Sequence, residues 1–388
     1  MLAPEPYFQA RGTPISVYFR LSALSELGHR VTLVTYPLGE DRVFPGLKIV
    51  RVPNVLGLRS VKIGPSLAKI PFDALLFLRA FLKLAGGGYD LIFSHEEASL
   101  FGVWLAKLFG RPHLYDMHSS LPQQLENFGF SRSPLLKSLF GRMERYVLRN
   151  SGSVIVICRD LERQVRFLGQ ADKAVFLENF LDFDEKPPAA AEVKKARREL
   201  APRGDKIVLY AGNFLPYQGI PLLLEAAARV KKSAVFVLVG GSGPDLERMR
   251  DKAQSLGIAD KVKFVRRVPP DRIPLFVAAA DVLVSPRLAG TNTPLKIYSF
   301  LKSGKPLVAT DLWTHTQVLD PRIAILVEPN PSGLARGLEA ALAGGPAPAR
   351  ARAAKKKADR EYTRASYLKK MGEALAKARA RRNKEPGP

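Results

Sequence analysis

Cysteine is almost absent: Cys158 stands alone in 388 residues. That excludes an intramolecular disulfide and any cysteine-based metal cluster. Histidine is scarce too, and His29, His95, His113, His118 and His315 show no metal-ligand spacing. No stretch reaches the ~18 unbroken apolar residues of a membrane span. No secretory pattern is read ahead of the first globular segment. Acidic residues are also short, 36 against 60 Lys and Arg, for a formal charge of +24. Anionic partners follow: phosphorylated metabolites, an anionic membrane surface or nucleic acid. Nucleic acid is the least favoured, because no aromatic platform is interleaved with the basic runs. A cytoplasmic protein is expected, soluble or peripheral on the inner face of the cell membrane.

What is present is ample apolar content, 46%, in a chain long enough for two domains. Met1-Leu2-Ala3-Pro4 reads as the end of a strand, so strand one is short or residues precede it. A turn through Gly12 opens a helix from Ile15 to Leu27, and Arg30–Thr35 and Leu47–Val52 are strands. Further strands are read at Asp90–Ser94, Pro112–Asp116, Val154–Ile157 and Ala174–Leu177. Asp184 to Asp205 reads as a connector with Pro187-Pro188, an alanine run and mixed charge. Strands then recur at Lys206–Ala211, Ala234–Val239, Val262–Val265, Ala280–Val284, Leu307–Thr310 and Ile323–Val327. Strand–helix alternation in both halves predicts α/β architecture: two doubly wound, Rossmann-like parallel-sheet domains facing a cleft. The expected division is residues 1–183, a connector at 184–205, a second domain at 206–346, and a basic helix and tail at 347–388.

Two basic segments admit two readings. Val61 to Leu84 interleaves Ile70, Leu75, Leu76, Phe77, Leu78, Phe81 and Leu82 with Lys62, Lys69, Arg79 and Lys83. It is either a surface for anionic lipid or a core helix with a solvated edge. In the tail, Tyr362, Tyr367, Leu368, Met371 and Leu375 are spaced for one helical face, so a docked helix with a frayed basic end is expected.

The chain is organised around Ser285 to Ser299, a polar loop between a strand and a helix. Pro294 suits a first helical turn, and Thr291 or Thr293 suits a cap. With Arg287 and Lys296 the stretch reads as an anion cradle for a phosphorylated ligand. The alternative is an ordinary capped helix. In open α/β sheets ligands bind outside the carboxyl ends of strands. There stand Gly12, His95-Glu96, His118, Gly212-Asn213, Gly241-Ser242-Gly243 and residues 287–299. Gly241-Ser242-Gly243 lacks the full dinucleotide fingerprint.

These motifs carry a resemblance over essentially the whole chain. They are Tyr210-Ala211-Gly212 through Pro216-Tyr217-Gln218-Gly219-Ile220, Val239 to Pro244, Ala280 to Pro286, and Pro294-Leu295-Lys296-Ile297-Tyr298 with Ser303 to Thr310. Glu178 to Asp182 resembles the segment that leads into the second domain. The chain resembles GT-B glycosyltransferases of the retaining, nucleotide-sugar-dependent family 4 type.

The resemblance implies a nucleotide-sugar donor, UDP- or GDP-linked, with a glycan or lipid-linked acceptor and no required metal. It places donor contacts at Gly12, Gly212, Asn213, Gln218, Gly241, Ser242, Gly243, Thr291, Asn292, Thr293, Pro294, Leu295 and Ser299. Catalytic roles fall to His118, Lys296 and Arg287, and acceptor-side roles to His95 and Glu96. Glu97, Asp116 and His315 are read as structural. The chain departs from the family where two donor-loop glutamates become Thr291 and Ser299, and an Arg and Lys pair becomes Asn213 and Gln218. Asp182-Phe183-Asp184 spells a manganese-binding acid pair of a different fold, and is discounted because it sits in the connector. A nucleotide-sugar 2-epimerase and a non-catalytic, polyanion-binding member stay open as alternatives.

Overall fold

The computed structural model describes residues 1–9, 12–61, 66–123, 133–178 and 187–382. Two compact units emerge, one of Met1–Asn179 with Ala365–Pro388, the other of Phe180–Arg364.

The first unit is built on seven parallel strands: β1 Leu2–Ala3, β2 Val31–Thr35, β3 Leu47–Arg51, β4 Ile92–His95, β5 His113–Met117, β6 Ser153–Val156 and β7 Ala174–Phe176. Their spatial order is β3-β2-β1-β4-β5-β6-β7. β4, β5 and β6 are buried at every residue, as strands covered on both faces must be. The sheet reverses direction of growth at β1 and β4, where doubly wound sheets open a crevice for ligands. Helix Gly12–Glu26 follows β1, His95 ends β4, and the loops after β4 and β5 carry Glu96 and His118.

The second unit repeats the order with six strands: β8 Lys206–Ala211, β9 Ala234–Gly241, β10 Val262–Arg266, β11 Val282–Ser285, β12 Leu307–Thr310 and β13 Ile325–Val327. They lie as β10-β9-β8-β11-β12-β13. Its core packs Val208, Phe236, Leu238, Val282 and Val308 under Leu223, Leu224, Leu246, Leu334 and Leu338. Each leucine buried this way contributes ~1.5–3 kcal/mol relative to exposure. Gly337 is required here by space, since a Cβ would fall 2.4 Å from Val327 Cγ1.

Several elements differ from the sequence expectation. Within the stretch read as a connector, Ala190–Leu200 is a helix. Arg197 of this helix donates to the Ala279 carbonyl and pairs with Asp281 at 3.0 Å, and Leu200 is buried. The motif Glu178 to Asp182 is described only at Glu178, and Asp182-Phe183-Asp184 lies outside the described residues.

Helix Ile70–Ala85 buries Phe72, Leu76 and Ala80 against Val34, Tyr36 and Ile92, the core-helix reading of that segment. It also leaves Ile70, Leu78 and Leu82 about half exposed, at 59%, 49% and 55%. Lys62 of the same segment lies outside the described residues.

The basic tail is two helices with different partners. Ala347–Glu361 buries Ala347, Ala351, Ala354 and Ala358 within the second unit. Arg364–Arg382 belongs to the first unit from Ala365 onward, burying Tyr367, Met371, Ala374 and Ala378 there. The approach at Ala378 is close enough that a Cβ on Gly152 would meet its carbonyl oxygen at 2.7 Å.

Candidate functional site

In the second unit the loops after β8 and β11 abut. Gly219 adopts φ +72°, and a Cβ there would lie 1.9 Å from the Pro286 carbonyl oxygen. Only glycine meets both demands. Leu288 N donates to the Tyr217 carbonyl at 2.9 Å, tying the same two loops. Gly212 N donates to the Val239 carbonyl. A Cβ on Gly240 would come 2.4 Å from the Gly212 carbonyl, so the turn after β9 joins this group.

Lys296 lies at its centre. Its Nζ sits 3.8 Å from the Tyr210 ring centroid, and a Cβ on Gly212 would stand 3.1 Å from it. The ammonium is buried without a hydrogen-bond partner, although the stem is partly exposed. Burial first, and Arg287 second, hold its pKa well below that of an ordinary lysine. Burial likewise lowers the Arg287 guanidinium. No carboxylate is paired with either cation among the described residues.

Arg287 clamps its own loop. It donates to the Asn292 carbonyl at 2.7 Å and to Thr314 Oγ1 at 3.0 Å, while Nε stays buried and unpartnered. Thr314 Oγ1 also donates to the Asn292 carbonyl, and Gln317 donates to the Thr291 carbonyl. Residues 291 and 292 are therefore held through backbone.

The capping expectation is corrected. The helix is Lys296–Lys302, its N-cap is Leu295, and no side chain caps it, neither Thr291 nor Thr293. Pro294 is buried ahead of the cap rather than in the first turn, and its carbonyl accepts from Ile297 N. The Thr293 hydroxyl is buried without a partner, and so is Gln218 Oε1. Leu295 and Ser299 are half-buried at this helix start. The Asn213 carbonyl accepts from the Tyr210 hydroxyl, and its side chain accepts from Leu215 N. Ser242 and Gly243 are exposed at the start of helix Gly243–Ser255, while Gly241 packs on Phe214.

In the first unit the structure collects residues whose spacing hid them. Asp116 Oδ2 lies 2.8 Å from Arg20 Nε, 3.2 Å from His118 Nε2 and 3.4 Å from His95 Nδ1. Asp116, Arg20 and His95 are fully buried, and His118 is 4% exposed. Burial alone would raise the carboxyl, but Arg20 and His118 overcome it and hold it well below the usual range. Burial lowers His95 to about 3, so it is neutral.

His95, Asp116 and His118 offer ligand atoms within 4.8 Å of one another, a grouping the sequence spacing did not suggest. The donor set is nevertheless unsuited to a cation, because Arg20 already supplies a fixed positive charge to the shared carboxylate.

Glu96 takes φ +46°, a left-handed conformation that is uncommon for a non-glycine residue and costs ~1–3 kcal/mol. Its Oε2 accepts from Ser119, and burial raises its pKa against the opposing effect of His118. Glu97 pairs with Lys69, and His315 is held by Ser285 and the Thr310 carbonyl. Gly12 opens its helix, exposed, with open space where a Cβ would stand. Sequence reasoning missed Arg20, and met Tyr210 only as part of a motif and Tyr367 only as part of a helical face. Only the presence of an arginine among the apolar residues of a helix hinted at the first.

Residues 20–179 match the model of a glycosyl transferase 4-like domain, and residues 192–358 match that of glycosyl transferases group 1. The chain is 30% identical over 210 residues to the 2-deoxystreptamine N-acetyl-D-glucosaminyltransferase of Streptomyces fradiae, covering 51% of this chain. It spans about half that relative's length, 49%. It is 26% identical to the alpha-monoglucosyldiacylglycerol synthase of Streptococcus pneumoniae, over 79% of this chain and 70% of that one.

Among solved structures, sucrose-phosphate synthase from Thermosynechococcus elongatus superposes with a TM-score of 0.79 at 22% identity, covering 98% of this chain and 99% of that one. Anabaena Alr3699/HepE in complex with UDP-glucose gives 0.75 at 17%, covering 97% and 98%. With both family models in tandem over two doubly wound sheets, the chain belongs to the GT-B fold glycosyltransferases of family 4 type.

Proposed function

We propose that the chain is a retaining glycosyltransferase that moves a hexose from a UDP- or GDP-sugar to a lipid-linked, polysaccharide or other glycan acceptor. The carrying observation is the pair of cations Lys296 and Arg287, with buried unpartnered nitrogens and no acid beside them among the described residues. A buried charge without a partner is costly, so such a pair calls for an anionic ligand. A nucleoside diphosphate supplies it, and the UDP-glucose carried by the Anabaena neighbour is of that class.

In the reaction the bond from the anomeric carbon to the diphosphate oxygen breaks. The acceptor oxygen forms the new bond from the same face, and its proton passes to the departing phosphate. Charge grows on that phosphate, where each preorganised donor is worth ~2.7–4 kcal/mol. Lys296 and Arg287 fill that role without a metal. The Thr293 hydroxyl and the Gln218 amide oxygen, both buried and unpartnered, are further contacts to the nucleotide-sugar, the latter as an acceptor. His118 serves near the sugar and Glu96 on the acceptor side, whereas His95 is fully buried and offers an acceptor no surface.

The test is thermal stabilisation by a panel of nucleoside diphosphates and their sugars, with Lys296→Ala alongside. A site filled to 100 times its Kd adds ~2.7 kcal/mol. A shift selective for one base and lost in the variant supports the reading. Equal shifts with every polyanion would favour the binding-protein alternative, and release of a free epimer without acceptor would favour the epimerase.

A lipid-linked acceptor at an anionic membrane surface is favoured by one further observation. Leu78 and Leu82 are exposed on helix Ile70–Ala85, which packs Phe77 against the exposed Trp104 of helix Ala98–Leu108. Leu108 is exposed on the same helix, and Lys107 lies over Tyr146 of helix Pro134–Asn150, where Arg142 and Arg145 are exposed. No helix of the described residues is long and apolar enough to cross a membrane. Flotation with anionic vesicles, reversed by salt, checks this surface.

A further inference from the structure

The side chains around Asp116 come from four separate parts of the first unit. Arg20 comes from the middle of helix Gly12–Glu26, His95 from the end of β4, Asp116 and His118 from β5 and its loop, and Tyr367 from helix Arg364–Arg382. Arg20 spends every nitrogen here. Nε and Nη2 donate to the two Asp116 oxygens at 2.8 and 3.3 Å, Nη2 also donates to the Leu177 carbonyl at 3.3 Å, and Nη1 donates to the Tyr367 hydroxyl. Both carboxylate oxygens are thus fixed in direction by one guanidinium. That guanidinium is in turn held by the C-terminal helix.

The consequence falls on His118. Its Nε2 faces Asp116 Oδ2 at 3.2 Å, and a buried anionic oxygen accepts hydrogen bonds and donates none. The proton of the imidazole therefore belongs on Nε2, which leaves Nδ1 to act as the acceptor on the side facing away from Asp116. His95 obeys the same rule from beside it, its Nδ1 standing 3.4 Å from His118 Nε2. Its Nδ1 lies 3.4 Å from the same oxygen, and its Nε2 is buried with no partner. Among the described residues, Glu96 is a further charged group that interacts with His118.

We propose that Tyr367, Arg20 and Asp116 are positioning residues that set the tautomer and ring orientation of His118, so that the C-terminal helix is part of the first unit's reactive apparatus. The significance for sugar transfer rests on the glycosyltransferase reading above, but the hydrogen-bond relay does not.

The experiment is nitrogen-15 NMR of the ring nitrogens in the full chain labelled on histidine. Five histidines make the spectrum tractable, and a His118→Asn sample identifies the signal. His113, held by Ser94 at 2.7 Å and Ser151 at 2.9 Å, is the internal control for an intact fold.

His118 is expected to be protonated at Nε2 in the parent protein. In Asp116→Asn its population shifts toward the Nδ1-protonated form, and in Tyr367→Phe it shifts the same way by less, with His113 unmoved in both. Unchanged His118 resonances in both variants, with His113 intact, would overturn the proposal. If Asp116→Asn does not fold, Tyr367→Phe decides alone by the same criterion. Failure of every nucleotide to stabilise the parent protein would remove the transferase reading without touching the tautomer result. Selective nucleotide binding with an unmoved His118 would do the reverse.

Discussion

The ammonium of Lys296 lies 3.8 Å from the ring centroid of Tyr210, inside the loop cluster of the second unit and with no acid beside it among the described residues. The ring's quadrupole is the compensation the empty protein offers, about 2 kcal/mol when desolvated. That is less than burial of a charge costs. On the proposed reading the cation is held for a ligand at the expense of stability.

Lys296→Met should accordingly separate stability from binding. Replacing a buried charge with an apolar side chain of similar volume should raise the stability of the unliganded protein, by about 1–3 kcal/mol. The same change should abolish stabilisation by nucleoside diphosphates. Thermal melts with and without the nucleotide measure both. A variant that is less stable and still binds would contradict the assignment.

The second expectation concerns pH. Burial and Arg287 hold the Lys296 pKa well below the ordinary 10.5. Between the lowered folded value and the unfolded one, the unfolded chain binds more protons, so stability without ligand rises with pH. Affinity for the diphosphate moves the opposite way, falling as pH climbs through the lowered value, because the anion needs the protonated form. Calorimetry in buffers of different ionisation enthalpy should therefore register proton uptake on binding. Lys296→Met should show none.

Gly219→Ala tests the joint between the two loops. A Cβ at 1.9 Å from the Pro286 carbonyl, on a backbone at φ +72°, cannot be accommodated without parting them. A loss of about 2 kcal/mol or more is expected in denaturant unfolding, together with weakened nucleotide binding. Gly257→Ala, also at positive φ but with open space at its Cβ, is the control that isolates the strain from the collision.

Divalent metal should be dispensable. Lys296 and Arg287 already bring two positive charges to one cluster, and Arg20 occupies the carboxylate that would otherwise anchor an ion between His95 and His118. Exhaustive treatment with a chelator should leave donor turnover unchanged, and added manganese or magnesium should not raise it. Activity that disappears with chelation and returns with metal would reject this account.

The sequence by itself determined the two doubly wound sheets. Parallel strands buried on both faces must be apolar runs, and Val154–Ile157 and Ala234–Val239 are legible for that reason. It also brings Lys296 and Arg287 into one short stretch, so their loop is legible from the residues alone.

Helix starts were less legible. A threonine before a proline suits a cap, but where the helix begins is set by which backbone groups the packed loop consumes, and here the Asn292 and Thr291 carbonyls are taken by Arg287, Thr314 and Gln317. The helix Ala190–Leu200 was hidden because alanine and mixed charge suit a linker as well as a surface helix.

Only the tertiary structure decided the surroundings of Asp116. Arg20 meets Tyr367 across 347 residues and Asp116 across 96. No local periodicity encodes such a meeting, because it arises when strand order and the return of the last helix bring distant residues into one buried, low-dielectric space.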